Sequence, residues 1–221
     1  MRCSLSVASR NKIREYKPIY EGYDPVKIEQ SGVRRNGFRI QLDDDDIAAC
    51  FQAAKDENNW SSTKPGVYGQ GLEKNGLGIL MGYAVECCFA KAYQLPFRWG
   101  YVEYGEDWDF ELMNKTLDTK GSSRFYPKGL VMYSNLRGPR RLKADLYMFG
   151  YLEKPVKAMS DNICSCVLHS VATRNFVEGC SVRRGRHKKA DHKNYEVPFG
   201  HTEVKDALWH LELWRERKTK S

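Results

Sequence analysis

The sequence lacks any uninterrupted apolar run of about 20 residues, so no helical membrane span and no membrane partner is expected. Its first fourteen residues carry Arg2, Arg10, Lys12 and Arg14 around no apolar centre, which argues against a signal peptide. There is no Walker loop and no dinucleotide fingerprint, leaving ATP-driven and redox chemistry without a basis. Internal repeats and low-complexity tracts are absent. The seven cysteines (Cys3, Cys50, Cys87, Cys88, Cys164, Cys166 and Cys180) are odd in number, and several fall in apolar runs. That is unlike a secreted disulfide framework, and it points to reduced, buried thiols and a cytoplasmic location. Cys164, Cys166, Cys180, His187 and His192 fit no common zinc-finger spacing, so buried structural thiols are the stronger reading. His169, His201 and His210 show no spacing with a nucleophile.

What is present is basic. The 221 residues include 36 Lys and Arg against 28 Asp and Glu, a net charge of +8. Such a balance favours a polyanionic partner, because neutralised phosphates release counterions. A hydrophobic fraction of 41% supports one core but not two substantial ones. The expectation is one domain over residues 37–221, preceded by an arm or extra layer over residues 1–36, which are polar and weakly periodic.

Gly37–Leu42 alternates as a short strand, and Asp43 to Asp46 open a helical run from Ile47 to Asn58. Four aspartates could mark a metal site, but capping and the helix dipole explain acids at a helix start more simply. From Gly76 to Gln94, Leu77, Ile79, Leu80, Tyr83, Ala84, Cys87, Cys88 and Ala92 form the wide apolar face of a mostly buried helix. Glu86 lies within it, and a carboxylate there needs a partner, a purpose or solvent. Strands are expected over Phe97–Glu103, Asp107–Met113, Lys115–Lys120, Gly129–Asn135, Lys143–Glu153, Asn162–Val171 and Tyr195–Phe199. Thr173 should cap a short helix ending at Cys180, and Thr202–Arg217 should form a terminal helix. The order predicts an α/β sandwich on a central mixed β-sheet flanked by helices.

The candidate chemistry sits in one hairpin. Asp118 and Lys120 are two apart, so in a strand they share a face. Asp109 lies on the preceding strand across an Asn114–Lys115 turn, from which it can approach Asp118. Two carboxylates beside an ammonium suit a hard divalent cation and an activated water. The bland alternative is a surface salt bridge, worth only about 0–1 kcal/mol.

This arrangement resembles the PD-(D/E)XK nuclease superfamily, with its restriction-endonuclease-like core, over about residues 43–209. There a helix glutamate, a hairpin aspartate and an Asp/Glu-x-Lys strand form the metal site. The resemblance implies that Glu86, Asp109, Asp118 and Lys120 are the catalytic set. It further implies that Glu86, Asp109, Asp118 and the Thr119 carbonyl bind Mg²⁺, with Mn²⁺ as substitute. Cys164–Val177, with its Ala172–Phe176 turn into a helix, and Tyr195–Pro198 before a terminal helix are similar to phage-type members. Trp108 stands where the name-giving proline would precede the aspartate, a position that varies in the family, and Asp107 rivals Asp109 for its role.

Two basic segments are candidates for DNA phosphates: Arg137, Arg140, Arg141 and Lys143, and Arg183, Arg184, Arg186, Lys188 and Lys189. A solvated charge run is the alternative. No recognition helix stands out, so no base-specific reading is expected. Tyr133 and Tyr147 could line a groove or simply pack the core. The resulting expectation is a Mg²⁺-dependent deoxyribonuclease, with a homodimer fitting because two cuts need two sites. The alternatives are a catalytically inactive DNA-binding or assembly protein on the same fold, or a structure-selective nuclease such as a junction resolvase.

Overall fold

A computed structural model describes residues 12–14, 23–62, 72–99, 108–135, 138–139, 142–154, 163, 165–184 and 193–220. In chain order the elements are β1 (Lys12–Arg14), β2 (Tyr23–Gln30), β3 (Val33–Gln41), α1 (Asp44–Ser62) and α2 (Leu72–Tyr93). There follow β4 (Phe97–Trp99), β5 (Phe110–Leu112), β6 (Lys115–Ser122), β7 (Lys128–Asn135), β8 (Gly138–Pro139) and β9 (Leu146–Leu152). The chain ends with β10 (Ser165–Thr173), α3 (Arg174–Glu178), β11 (Val182–Arg184), β12 (Lys193–Pro198), β13 (Lys205–Asp206) and α4 (Ala207–Thr219).

Three layers result. The middle one is a seven-stranded sheet in the order β2-β3-β10-β9-β6-β5, with β13 also paired to β10. It is mixed, since β6 and β9 run parallel while its other pairs are antiparallel. Helices α1, α2 and α4 cover one face, burying Cys50, Ala54, Leu80, Phe89, Leu211 and Trp214 against Phe38, Leu117, Met148 and Leu168. A second sheet, β11-β12-β7-β8, covers the other, burying Val131, Tyr195 and Val197 against Tyr147, Phe149 and Val167. Strand β10 is sandwiched between both layers, so eight of its nine residues are buried and no alternation survives in its sequence. None of the described helices is long and apolar enough to cross a membrane.

Several boundaries differ from expectation for local reasons. Within residues 1–36, Tyr23–Gln30 pairs with Val33–Ile40 as a hairpin on the main sheet, so this part is sheet rather than arm. The β5–β6 hairpin turns at Met113–Asn114, not at Asn114–Lys115. Both turn residues have positive φ, 52° and 57°, which matches the right-handed twist of the flanking strands. Helix α4 begins at Ala207, five residues later than Thr202, because Lys205 and Asp206 first pair with Val171 and Ser170. Strand β9 starts at Leu146, after a bend at Asp145 that leaves Ala144 in the opposite core cluster from Leu146. Thr173 does cap α3, its Oγ1 accepting from the Phe176 N–H at 3.4 Å.

Helix α2 is seated close to β6 by a missing side chain. A Cβ on Gly121 would lie 2.5 Å from the Met81 carbonyl oxygen, so any larger residue would push the helix off the strand. Gly121 directly follows Lys120, and Met81 lies just over one turn before Glu86. The close approach therefore brings the helix carboxylate towards the candidate chemistry.

Candidate active site at the β5–β6 hairpin

Parallel pairing sets Asp118 opposite Tyr147 and Lys120 opposite Phe149. Leu117 and Thr119 are buried on β6, while Asp118 and Lys120 alternate with them and stay partly exposed. Lys120 Nζ lies 2.5 Å from Asp118 Oδ1, with the side chains 32% and 19% exposed. Asp109 sits just before β5, its own N–H bonded to the Leu117 carbonyl at 2.9 Å. One of its oxygens, Oδ2, accepts from the Thr119 N–H at 2.6 Å and from the Thr119 hydroxyl at 2.7 Å. The Asp109 carboxylate is also close enough for its charge to act on Asp118. Asp109, Asp118, Thr119 and Lys120 are thus brought together.

The electrostatics follow from this crowding. Burial pushes the Asp118 carboxyl up to about 7; Lys120 pulls it down, and the like charge of Asp109 pushes it up again. For Lys120, burial works against the cation. Asp118, then Asp109 and Glu86, outweigh it and hold the ammonium above its ordinary value. Glu86 therefore acts on the cluster from α2; its side chain is half-buried and reaches back along its own helix, towards Gly82. Asp107 lies outside the described residues.

Among the described residues, no three His, Cys, Asp or Glu side chains converge as a ready metal cage. The zinc alternative also fails geometrically. Cys166 is buried on the helical side, its thiol 3.5 Å from the Ala84 carbonyl, while Cys180 packs on the other core cluster. Cys164, His187 and His192 lie outside the described residues. The Asp43–Asp46 run is a cap: Asp46 N–H donates to Asp43 Oδ1 at 2.9 Å and Asp43 N–H to Asp46 Oδ2 at 3.1 Å.

Of the basic candidates, Lys143 is exposed, its carbonyl 3.5 Å from the Thr116 hydroxyl near the start of β6. Arg183 is exposed and pairs with Glu196 at 3.2 Å, which Lys128 also reaches at 3.2 Å. Arg137, Arg140, Arg141, Arg186, Lys188 and Lys189 lie outside the described residues, as do the side chains of Arg184 and Tyr133.

The structure adds Asp145 and Arg174, which the sequence pattern did not mark. Asp145 Oδ2 accepts from the Thr116 N–H and hydroxyl, both at 3.1 Å, and its other oxygen bonds the Arg174 guanidinium. Donation from the Thr116 backbone, aided by its hydroxyl and Arg174, holds Asp145 below the usual carboxylate range despite burial. This latch ties the starts of β6, β9 and α3 two residues before Asp118. Tyr147 is 2% exposed in the core, and its hydroxyl is pushed up first by burial and then by the Asp118 charge. The available signal was a polar Asp145 and Arg174 at strand and helix starts, a pattern too common to single out.

Comparison with family models, with curated proteins and with solved structures finds no match.

Proposed function

We propose that this protein is a Mg²⁺-dependent deoxyribonuclease of the PD-(D/E)XK type on a restriction-endonuclease-like core. The observation that carries the reading is the contact of Lys120 with an Asp118 carboxyl that burial and Asp109 have raised to about 7. A carboxylate so destabilised as an anion gains from a divalent cation, and perturbed acids of this kind concentrate at functional sites. Two carboxylates suit Mg²⁺, which keeps several waters and needs few protein ligands. Asp109 would offer Oδ1, its Oδ2 being held by Thr119, and Asp118 would offer its oxygen remote from Lys120. The Thr119 carbonyl and Glu86 complete the set; Mn²⁺ would substitute.

Bound there, the ion would lower the pKa of a coordinated water and neutralise charge on the scissile phosphate. The chain's own groups do the rest. Asp118 would release its proton to solvent if a cation bound there. Thr119 keeps Asp109 in one rotamer, and the Asp145–Thr116–Arg174 latch fixes the strand start. Lys120, kept cationic by three carboxylates, would orient the attacking water or meet the negative charge that builds on the phosphoryl oxygens. DNA is the implied partner, and a homodimer would place two such sites on two strands.

The test is incubation with Mg²⁺ and linear, circular, single-stranded and branched DNA, beside Asp118→Ala and Lys120→Ala. Wild-type cleavage lost in both variants supports the reading, and preferential cutting of branched DNA would specify a junction resolvase. Wild-type inactivity on every substrate, with no metal bound, would sink it. One observation favours a second reading. Lys120 already neutralises Asp118, and among the described residues only two acids converge closely, which suits a non-cleaving DNA-binding or assembly protein. That protein would bind the same DNA without cutting it.

A further inference from the structure

Beyond Lys120, β6 ends at Ser122, and the chain crosses to β7 at Lys128. This connection is pinned twice. At its base, Ser122 Oγ lies 2.8 Å from the Arg124 carbonyl and 3.2 Å from the Gly150 carbonyl. At its middle, Phe125 is 6% exposed. Its ring stands edge-on to Tyr151 and His169, at 5.9 and 5.1 Å between centroids, and lies 6.2 Å from Phe199. The two neighbours of this anchor are displayed. Arg124 is exposed, Tyr126 is half-buried, and the guanidinium carbon lies 5.0 Å over the tyrosine ring.

With its arginine exposed, such a cation–π pair contributes only about 0.5–1 kcal/mol. Its place is more telling. At about 3.3 Å per residue, Ser122 lies roughly 13 Å along the strand from Asp118. That distance is within reach of nucleotides adjoining a phosphate bound at the site. The platform is held rigid by Phe125 and Ser122, so a ligand would not have to order it.

We propose that Arg124 and Tyr126 form a platform for unpaired nucleotides of the strand cut at the Asp118 site. Arg124 meets a phosphate, and the Tyr126–Arg124 pair carries a base. The choice of ligand rests on the nuclease reading. Aromatic rings paired with arginine hold single strands with little sequence preference, because every base has a stacking face. In a blunt duplex those faces are covered by neighbouring bases. The platform therefore selects single strands and tailed duplexes.

Fluorescence anisotropy of the full chain in EDTA, where no cutting occurs, tests this. The probes are a labelled single-stranded DNA, a tailed duplex and a blunt duplex. Tyr126→Ala and Tyr126→Leu should weaken binding to the first two by about 5–100-fold and to the blunt duplex by less than about twofold. Tyr126→Phe should bind as wild type. Arg124→Ala should weaken single-strand binding and reduce the slope of log affinity against log salt by about 0.7. Tyr126→Leu and Arg124→Ala keep the test open if Tyr126→Ala fails to fold. Equal losses on blunt duplex, single-strand losses below about twofold, or no binding by wild type would each overturn the platform. Intact platform-dependent binding without Mg²⁺-dependent cleavage would overturn the nuclease reading alone; cleavage without platform dependence would overturn the platform alone.

Discussion

Among the described residues, two clusters each join two aspartates to one lysine, and they differ in what the lysine leaves undone. Lys91 Nζ bonds both Asp43 Oδ2 at 3.1 Å and Asp46 Oδ2 at 2.6 Å. Those aspartates also accept backbone N–H groups at the start of α1, so their charges are spent on a helix cap. Lys120 bonds only Asp118, while Asp109 adds a second negative charge beside it. The first cluster is a closed fastening between α1 and α2. The second is an acidic excess around one lysine. Equal composition has produced one closed arrangement and one with unbalanced charge, and the difference lies in backbone donors and in charge balance.

The sharpest test of that contrast is activity. Asp118→Ala and Lys120→Ala should each lower Mg²⁺-dependent DNA cleavage by about 1,000-fold or more. Lys91→Met should leave cleavage within a few-fold, measured well below its melting temperature. Equal losses in all three would erase the distinction.

Stability should show the reverse. The Lys91 side chain is 9% exposed and that of Asp46 is fully buried, so Lys91→Met strands a buried charge and should cost about 3–5 kcal/mol in denaturant unfolding. Lys120→Met should cost less near neutral pH, because Asp118 can take up a proton in its place.

The pH dependence separates the clusters further. The folded pKa of Asp118, about 7, lies above the ordinary value of 3.8, so the native state binds this proton more tightly than the unfolded chain. Stability from this group is complete below about pH 4 and is lost as pH rises towards and through 7. Asp118→Asn should therefore gain on wild type across that window, by on the order of 1–3 kcal/mol, read from melting curves at pH 5 and 8. A difference that is constant with pH would mean Asp118 is already ionised in the fold. By the same linkage, Mg²⁺ affinity in titration calorimetry should rise as pH approaches 7, with a proton released on binding.

Smaller effects probe the support. Thr119→Val removes the hydroxyl on Asp109 but keeps the backbone N–H, and should lower cleavage by about tenfold. Arg183→Ala breaks a surface pair and should change thermal stability very little.

The pattern Asp109, Asp118, Lys120 was legible because β alternation alone puts residues two apart on one face, and a two-residue turn brings the neighbouring strand alongside. The turn itself was misplaced by one residue, since neither Met113 nor Asn114 announces positive φ as glycine would. Hairpin β2–β3 was hidden because its outer strand is mostly exposed and polar, with Ile28 its one buried residue. The acids of Asp43–Asp46 were readable as a cap, but their partner Lys91 was not, since it stands 45 residues beyond Asp46. Asp145 and Arg174 were missed for the same reason: local sequence carries no sign of a bond spanning 29 residues.

Sequence alone determined the α/β class, the helices that cover one face and the residue types of the hairpin, because periodicity and charge are local properties. Tertiary structure decided the three-layer stacking and the burial that raises the Asp118 carboxyl. It also decided that the Thr119 N–H and hydroxyl grip Asp109. Those outcomes depend on burial and on charges brought together from distant segments. The cost of a charge is set by what surrounds it in space, and only the folded chain supplies those surroundings.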